Sequence, residues 1–322
     1  FVGGVAQLLL LAWGTRRMGM LTRPQRPRLT DGVKRLVALG IPGVIAGGIT
    51  QVNILIGTII ASLQDHAVSW LYYADRIYQL PLGLVGIAIG VVLLPDLSRR
   101  LRGGDAGGAL HTQNRSLELS LLLTLPAAVA LVIAPHPIIQ VLFERGAFEA
   151  TDTPATAAAL AAFAVGLPAF VMVKVFSPGF FAREDTRTPM YFAGVSVLVN
   201  ILGSLALFWF VGHVGIAAAT SLAGWVNALL LAGTLSKRGH FSLDGTFRRR
   251  LIPMLGSCAA MGAVLWAVAR WLDPWFAPAN GVLVQATALA ALVLSGMAVY
   301  AVLVHVTGAL TVQELLRVVR RK

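Results

Sequence analysis

Asp75, Arg76 and Gln79 sit inside an apolar stretch, LYYADRIYQLPLGLVGIAIGVVLLPDLSR at residues 71–99. An arginine in hydrocarbon costs at least ~2.5 kcal/mol on insertion scales. A chain keeps such a residue where it faces a polar cavity, a counter-ion or a ligand. The guanidinium offers five donors in a planar fork, a shape that matches phosphate or carboxylate. On a helix, Asp75 and Gln79 lie four apart on one face, and Arg76 is three from Gln79. Counted from Trp70, Arg76 is about 9 Å deep at 1.5 Å per residue. Snorkelling to the headgroups is therefore the alternative to a cavity role. The adjacent Asp75 argues for the cavity. The chemistry to expect is recognition of an anion inside a membrane bundle.

Other chemistry finds little support. Cys258 is the only cysteine, so no disulfide or thiolate metal site can form. The six histidines, His66, His111, His136, His213, His240 and His305, are scattered and lack metal-ligand spacing. A membrane enzyme acting on polyprenyl phosphates would need clustered carboxylates for Mg²⁺ or a nucleophile with its base. Asp105 and the Glu184-Asp185 pair form no DxxD cluster and have no histidine close in sequence. Neither a catalytic residue, a metal nor a cofactor is expected.

The elements that position the triad are membrane helices. Of the 322 residues, 57% are hydrophobic and 12% charged, against about 25% charged in a soluble domain. Eight apolar runs are long enough to cross a bilayer: roughly 36–63, 68–95, 117–134, 155–174, 190–211, 214–235, 251–272 and 281–306. Helices follow, because an open sheet cannot satisfy its backbone in lipid. Pro42, Pro81, Pro126 and Pro168 fall inside these runs and predict kinks. Asp152-Thr153-Pro154 and Thr188-Pro189 read as helix starts. Pro137–Asp152 reads as a short amphipathic helix on the interface, and residues 307–322 as a basic tail.

The net charge of +12 could point to nucleic acid, but its distribution points to topology. Of the 26 basic residues, 23 fall on alternate loops that share one side of the membrane. Only Arg145 and Arg270 fall on the other side, and Arg76 lies within a span. The positive-inside rule makes the basic side, with the C-terminus, cytoplasmic. Nucleic acid is excluded as a partner. For the basic cluster at 16–35, anionic lipid binding is the alternative to topogenic charge. Residues 1–13 are apolar but too short to span, and read as the end of a helix whose beginning is missing.

LYYADRIYQLPLGLVGIAIGVVLLPDLSR resembles the signature span of the MurJ/MviN family of lipid II flippases. FERGAFEATDT at 143–153 and KVFSPGFFAREDTRTP at 174–189 resemble two further motifs of that family, in the same order. The resemblance runs along the whole chain. It implies an all-α polytopic membrane protein of the multidrug/oligosaccharidyl-lipid/polysaccharide exporter fold, with two six-helix lobes and a final helix pair. This chain is similar to the end of span six (1–14), a basic cytoplasmic loop (15–35), the second lobe (36–239), the final pair (250–306) and a tail (307–322). The first lobe is the absent partner.

The resemblance implies translocation of lipid II, an undecaprenyl-pyrophosphate-linked disaccharide pentapeptide, across the bacterial cytoplasmic membrane by alternating access. It implies a transporter, with lipid II and membrane lipids as partners. Arg76 and Asp75 match the family's cavity arginine and its acidic neighbour. Gln79 stands where the family often has an acid, and the three are the expected substrate-binding residues. The final pair would form a groove for the polyprenyl tail. Export of another polyprenyl-linked glycan or of a drug is the alternative within the same fold. One lobe cannot enclose a cavity, so these residues alone are expected to be inactive. Asn200 and Thr220 match polar ligands of a sodium site assigned in some members. Gly57 and Ser204 fall where its carboxylates would be, so no bound sodium is expected. Lys174, Arg183, Glu184, Asp185 and Arg187 belong to the third motif. Pairing and helix capping is the default expectation for them, and closing the cytoplasmic gate the sharper one.

Overall fold

A computed structural model describes residues 2–19, 30–277 and 279–308. Residues 309–322 of the tail expected at 307–322, and residues 20–29 of the basic loop, lie outside the described residues. The elements are α1 (Val2–Arg17), α2 (Asp31–Ala61), α3 (Ala67–Arg102), α4 (Ala106–Ile133), α5 (Pro135–Phe143), α6 (Asp152–Phe181), α7 (Arg187–Val211), α8 (His213–Lys237), α9 (Gly245–Leu272) and α10 (Val282–Val306). A 3₁₀ turn, Asp273–Phe276, follows α9. Among the described residues there is no strand, and eight helices are long and apolar enough to cross a membrane. The chain divides into two compact units, Phe1–Gly40 and the residues from Ile41 onward. The first unit holds α1, whose described side chains are nearly all exposed. The rest concerns the second unit.

Helix α6 is the hub of that unit, packed against α3, α4, α5 and α8. Lipid tails supply no hydrophobic drive between helices, so close packing and interhelical hydrogen bonds must hold them. Both are present. At Gly166 of α6, an added Cβ would come within 2.6 Å of Ser221 Oγ on α8. The absence of a side chain lets Ser221 Oγ donate to the Ala162 carbonyl at 2.6 Å. On the α3 side, buried Tyr78 stacks on Phe163 and meets Phe170 edge-on, with centroids 5.6 and 5.9 Å apart. Ala74, Ile77, Tyr78 and Val85 are the buried face of α3. Arg76 is two residues from Tyr78, about 200° around the helix, so the contact with α6 turns Arg76 outward.

The final pair is fastened to the lobe by a polar joint. Glu118 of α4 is 3% exposed and accepts from Arg250 Nη1 of α9 at 2.6 Å. Arg115 also pairs with Glu118, and its Nη2 reaches Asp244 Oδ2 at 3.1 Å. Asp244 caps α9 by accepting from Phe247 N at 2.6 Å. Asn114 Nδ2 donates to the Ser242 carbonyl at 3.0 Å. At the other end, Met261, Leu265, Leu272, Phe276 and Leu292 form a core shared with Val141 of α5. Exposed Tyr191, Leu198, Leu202, Trp209 and Phe210 along α7 make an outward apolar surface.

Several helices outrun the apolar stretches. The run at 117–134 becomes α4 from Ala106, because Gln113, Asn114 and Glu118 are buried and bonded inside it. The run at 155–174 becomes α6 as far as Phe181. Lys174 is therefore not a loop residue: it lies seven residues inside the helix. The segment Pro137–Asp152 is helical only to Phe143, as part of α5 (Pro135–Phe143), and again at Asp152, where α6 begins.

Candidate functional site

On the outward side of α3, Arg76 is exposed, and its guanidinium carbon sits 4.6 Å from the Tyr72 ring centroid. Tyr72 is one turn away at i−4, so helix geometry alone brings the pair together. Such a cation–π contact leaves the in-plane donors of the fork open. Among the described residues, no hydrogen bond or ion pair engages that guanidinium. Asp75 is engaged elsewhere: Gln79 Nε2 donates to its carboxylate across one turn. The triad thus resolves into an Asp75–Gln79 bond and an arginine braced by a ring.

The second motif packs against the start of this helix. Trp70 Nε1 donates to Asp152 Oδ1 at 2.7 Å, and Tyr73 meets Phe143 and Phe148 with centroids 4.8 and 5.2 Å apart. Thr153 Oγ1 donates to Glu144 Oε2 at 2.6 Å, joining the end of α5 to the start of α6. His213 lies 4.8 Å from the Trp70 ring and bonds the Ala155 carbonyl at 2.9 Å. These contacts anchor the end of α3 that carries Arg76.

At the other end of α6, the third motif makes a helix-to-helix clamp. Asp185 accepts from Thr188 N at 3.0 Å, Thr188 Oγ1 at 2.7 Å and Arg238 Nη1 at 2.7 Å. Burial works to raise the Asp185 carboxyl, but donation by Thr188 and Arg238 outweighs it and holds the group below the usual carboxylate range. Arg183 Nη1 donates to the Gly179 carbonyl at 2.6 Å and so caps α6. Glu184 holds a left-handed backbone, φ 60°, which makes the turn between α6 and α7. Arg187 opens α7 and is exposed. His240 is held below its ordinary value by burial and by the charges of Arg183 and Arg238. The ion partner of Asp185 is Arg238, the residue just after α8 and outside the motif.

Asn200 and Thr220 do meet. Thr220 Oγ1 lies 3.1 Å from Asn200 Oδ1, and Ser204 Oγ 3.4 Å from it. Asn200 Nδ2 donates to Asn53 Oδ1 on α2 at 2.9 Å. The cluster is built of neutral amides and hydroxyls that satisfy one another. Among the described residues no group of His, Cys, Asp or Glu has metal-binding arrangement.

A family model described as "Lipid II flippase MurJ" matches residues 1–306. The chain belongs to the MurJ family of lipid II flippases. It is 48% identical to a probable lipid II flippase MurJ of Rhizobium meliloti (strain 1021), over 99% of this chain and 59% of the relative. It is 32% identical to the lipid II flippase MurJ of Burkholderia cenocepacia, over 82% of this chain and 52% of that protein. It thus spans about three-fifths or less of the length of these MurJ relatives. Among solved structures, a MurJ in an inward closed conformation superposes with TM-score 0.67 at 26% identity, covering 88% of this chain and 56% of the other. An outward-facing multidrug transporter of the MOP superfamily superposes with TM-score 0.55 at 21% identity, over 86% of this chain and 64% of that one, and shares the fold. The family and the fold agree with the three motifs.

Two residues in these sites, Tyr72 and Asn53, escaped the sequence reading, as did the place of Lys174 inside a helix. Tyr72 was legible as an aromatic one turn from Arg76. Lys174 was legible from VFSPGFF, which continues the apolar run beyond it. Asn53 carries no local signal, since only the packing of α2 on α7 brings it to Asn200.

Proposed function

We propose that this chain forms the second lobe and final helix pair of a lipid II flippase, with Arg76 as a contact for the pyrophosphate. The carrying observation is the Arg76 guanidinium: exposed on a membrane helix, braced by Tyr72 and, among the described residues, in no hydrogen bond or ion pair. A bidentate fork in a low-dielectric cavity suits a diphosphate, which presents paired oxygens at matching spacing. Asp75, tied to Gln79, positions the fork through its charge and supplies no direct ion pair. In this reading the protein lies in the bacterial cytoplasmic membrane with its basic end and C-terminus cytoplasmic. Lipid II crosses from that face by alternating access, as the arginine-bearing face of α3 turns from one side to the other. The remaining wall of the cavity belongs to a first lobe outside these 322 residues, so the chain by itself moves no lipid. The Asp185–Arg238 clamp joins α6, α7 and α8 at the basic end, where an inward gate must close. The final pair offers the polyprenyl tail an apolar groove. The Asn200 cluster serves as helix packing, since a cation site there would lack its carboxylates.

Native mass spectrometry of the intact gene product with lipid II tests the contact. Arg76→Gln should weaken lipid II binding about tenfold or more, the loss of one or two charge-assisted bonds. Binding of undecaprenol, which lacks the pyrophosphate, should stay unchanged. Equal lipid II binding by the variant and the parent overturns the assignment.

A further inference from the structure

One arginine breaks the charge pattern without a structural task. Arg145 and Arg270 are the two basic residues on the sparse side of the membrane. Arg145 Nη2 donates to the Val141 carbonyl near the end of α5. Among the described residues, the Arg270 guanidinium meets only the Trp266 ring, 5.0 Å from its centroid. Arg270 lines a cavity of about 290 Å³ between α5 and the end of α9. Trp266, Arg270 and Asp273, at i, i+4 and i+7, form one wall. His136 and Gln140, four apart on α5, belong to the other. Gln140 Nε2 donates to the Phe276 carbonyl at 3.0 Å, and Gln285 Nε2 of α10 to the same oxygen at 3.3 Å. Phe276 is buried in the core that α5 shares with the final pair, so the two walls are fixed to each other. Arg270 and Asp273 are three residues apart, a spacing at which a helix ordinarily pairs opposite charges. Among the described residues they make no ion pair, and no hydrogen bond engages the Asp273 carboxylate or the His136 ring. The cavity therefore presents a cation and an anion side by side. Its depth is that of lipid headgroups. Arg250 and Arg270 lie toward opposite ends of α9, about 30 Å apart along the axis, the thickness of the hydrocarbon layer. Exposed Trp266, Trp271 and Trp275 gather at the Arg270 end, as tryptophan does at a membrane interface.

We propose that this cavity holds the headgroup of a zwitterionic phospholipid of the phosphoethanolamine class, drawn from the leaflet opposite the basic end. The assignment is independent of the lipid II reading. The Arg270 fork takes the phosphate, since the indole covers one face of the guanidinium and leaves its in-plane donors open. His136 offers a ring N–H to a phosphate oxygen. Asp273 takes the primary ammonium. The two-carbon ethanolamine link sets the two charges of the headgroup near the spacing of neighbouring side chains one helical turn apart, about 5–6 Å. Trp266 gives the glycerol an apolar edge. A phosphoglycerol headgroup would satisfy Arg270 but leave Asp273 without a cation, so the site selects between the two lipids. A lipid seated between α5 and α9 also clamps the final pair to the lobe, at the end away from the Glu118 joint.

Native mass spectrometry of the intact gene product, delipidated in detergent, tests this with dioleoyl phosphatidylethanolamine and dioleoyl phosphatidylglycerol as probes. The parent should bind the ethanolamine lipid about tenfold more tightly than the glycerol lipid, the worth of one charge-assisted contact. Asp273→Asn should erase that preference by weakening the ethanolamine lipid alone. Arg270→Gln should weaken both lipids about tenfold. Both side chains are exposed, so without lipid each variant should melt within about 2 °C of the parent. Added ethanolamine lipid should raise the melting temperature of the parent more than that of Asp273→Asn. Soluble glycerophosphoethanolamine carries the same charges without acyl chains and should not displace the lipid at equal concentration. Displacement would give the cavity to a soluble phosphoester and overturn the lipid assignment. Equal binding of the two lipids by the parent, or a preference that survives in Asp273→Asn, would make Arg270 a snorkelling arginine that takes any headgroup, and overturns the proposal.

Discussion

Glu118→Gln should unfold the joint between the lobe and the final helix pair. In the parent, a carboxylate 3% exposed is bracketed by Arg250 at 2.6 Å and by Arg115. Glutamine keeps the shape and one acceptor but removes the negative charge. Two guanidiniums then face each other, with Asp244 alone left to balance Arg115, at 3.1 Å and 29% exposed. Removing one partner from a buried ion group costs about 3–5 kcal/mol. With roughly 2 °C lost per kcal/mol for a chain of this size, the melting temperature in detergent should fall by about 6–10 °C. Asp244→Asn removes a rim charge and weakens a cap, about 1 kcal/mol, so its fall should be near 2 °C. Tryptophan fluorescence against temperature reads both. Trp266, Trp271 and Trp275 on and after α9 report the final pair, and Trp225 of α8 reports the lobe. The joint predicts that the final-pair signal melts first in Glu118→Gln. A variant within 1 °C of the parent, or one no worse than Asp244→Asn, refutes the claim that this carboxylate docks the pair.

Two further outcomes follow from the packing. Asp185→Ala should lower thermal stability at pH 7. Its folded carboxyl lies below the usual range, so its contribution is present above about pH 4 and is lost as pH falls through the depressed folded value. The gap between parent and variant should therefore close in acid, and an equal gap at pH 7 and pH 3 would exclude the Arg238 clamp as its source. Gly166→Ala should cost about 1–3 kcal/mol, since the methyl would meet Ser221 at 2.6 Å. Gly194→Ala on α7, with nothing within 4 Å, should be neutral in the same melting assay.

How much was legible in the sequence depends on which force set each feature. The eight spans follow from hydropathy, and the alternation of Lys and Arg orders their ends. Arg76 stood out because an arginine inside an apolar run is costly wherever it points. Helix lengths were less legible. Gln113 and Asn114 look like loop residues until the Val175 carbonyl arrives from 62 residues away and Ser242 and Asp244 from about 130. Lys174 likewise read as a loop charge, because a charge count carries no rotational phase. The bond between Asp75 and Gln79 was legible from their spacing of four. Adjacent residues on a helix point about 100° apart, so Gln79, one turn on, takes the carboxylate that Arg76 leaves. The Asn53–Asn200 bond depends on tertiary packing alone.

The central claim is that the Arg76 guanidinium carries the pyrophosphate across. Its most direct test is leaflet accessibility of lipid II in vesicles or cells whose only flippase is the intact gene product. The account predicts that Arg76→Ala abolishes appearance of lipid II at the outer face. Arg76→Lys should retain only a small fraction of the parent's activity, since the charge remains but the bidentate fork is lost. Parental translocation by the alanine variant would contradict the account.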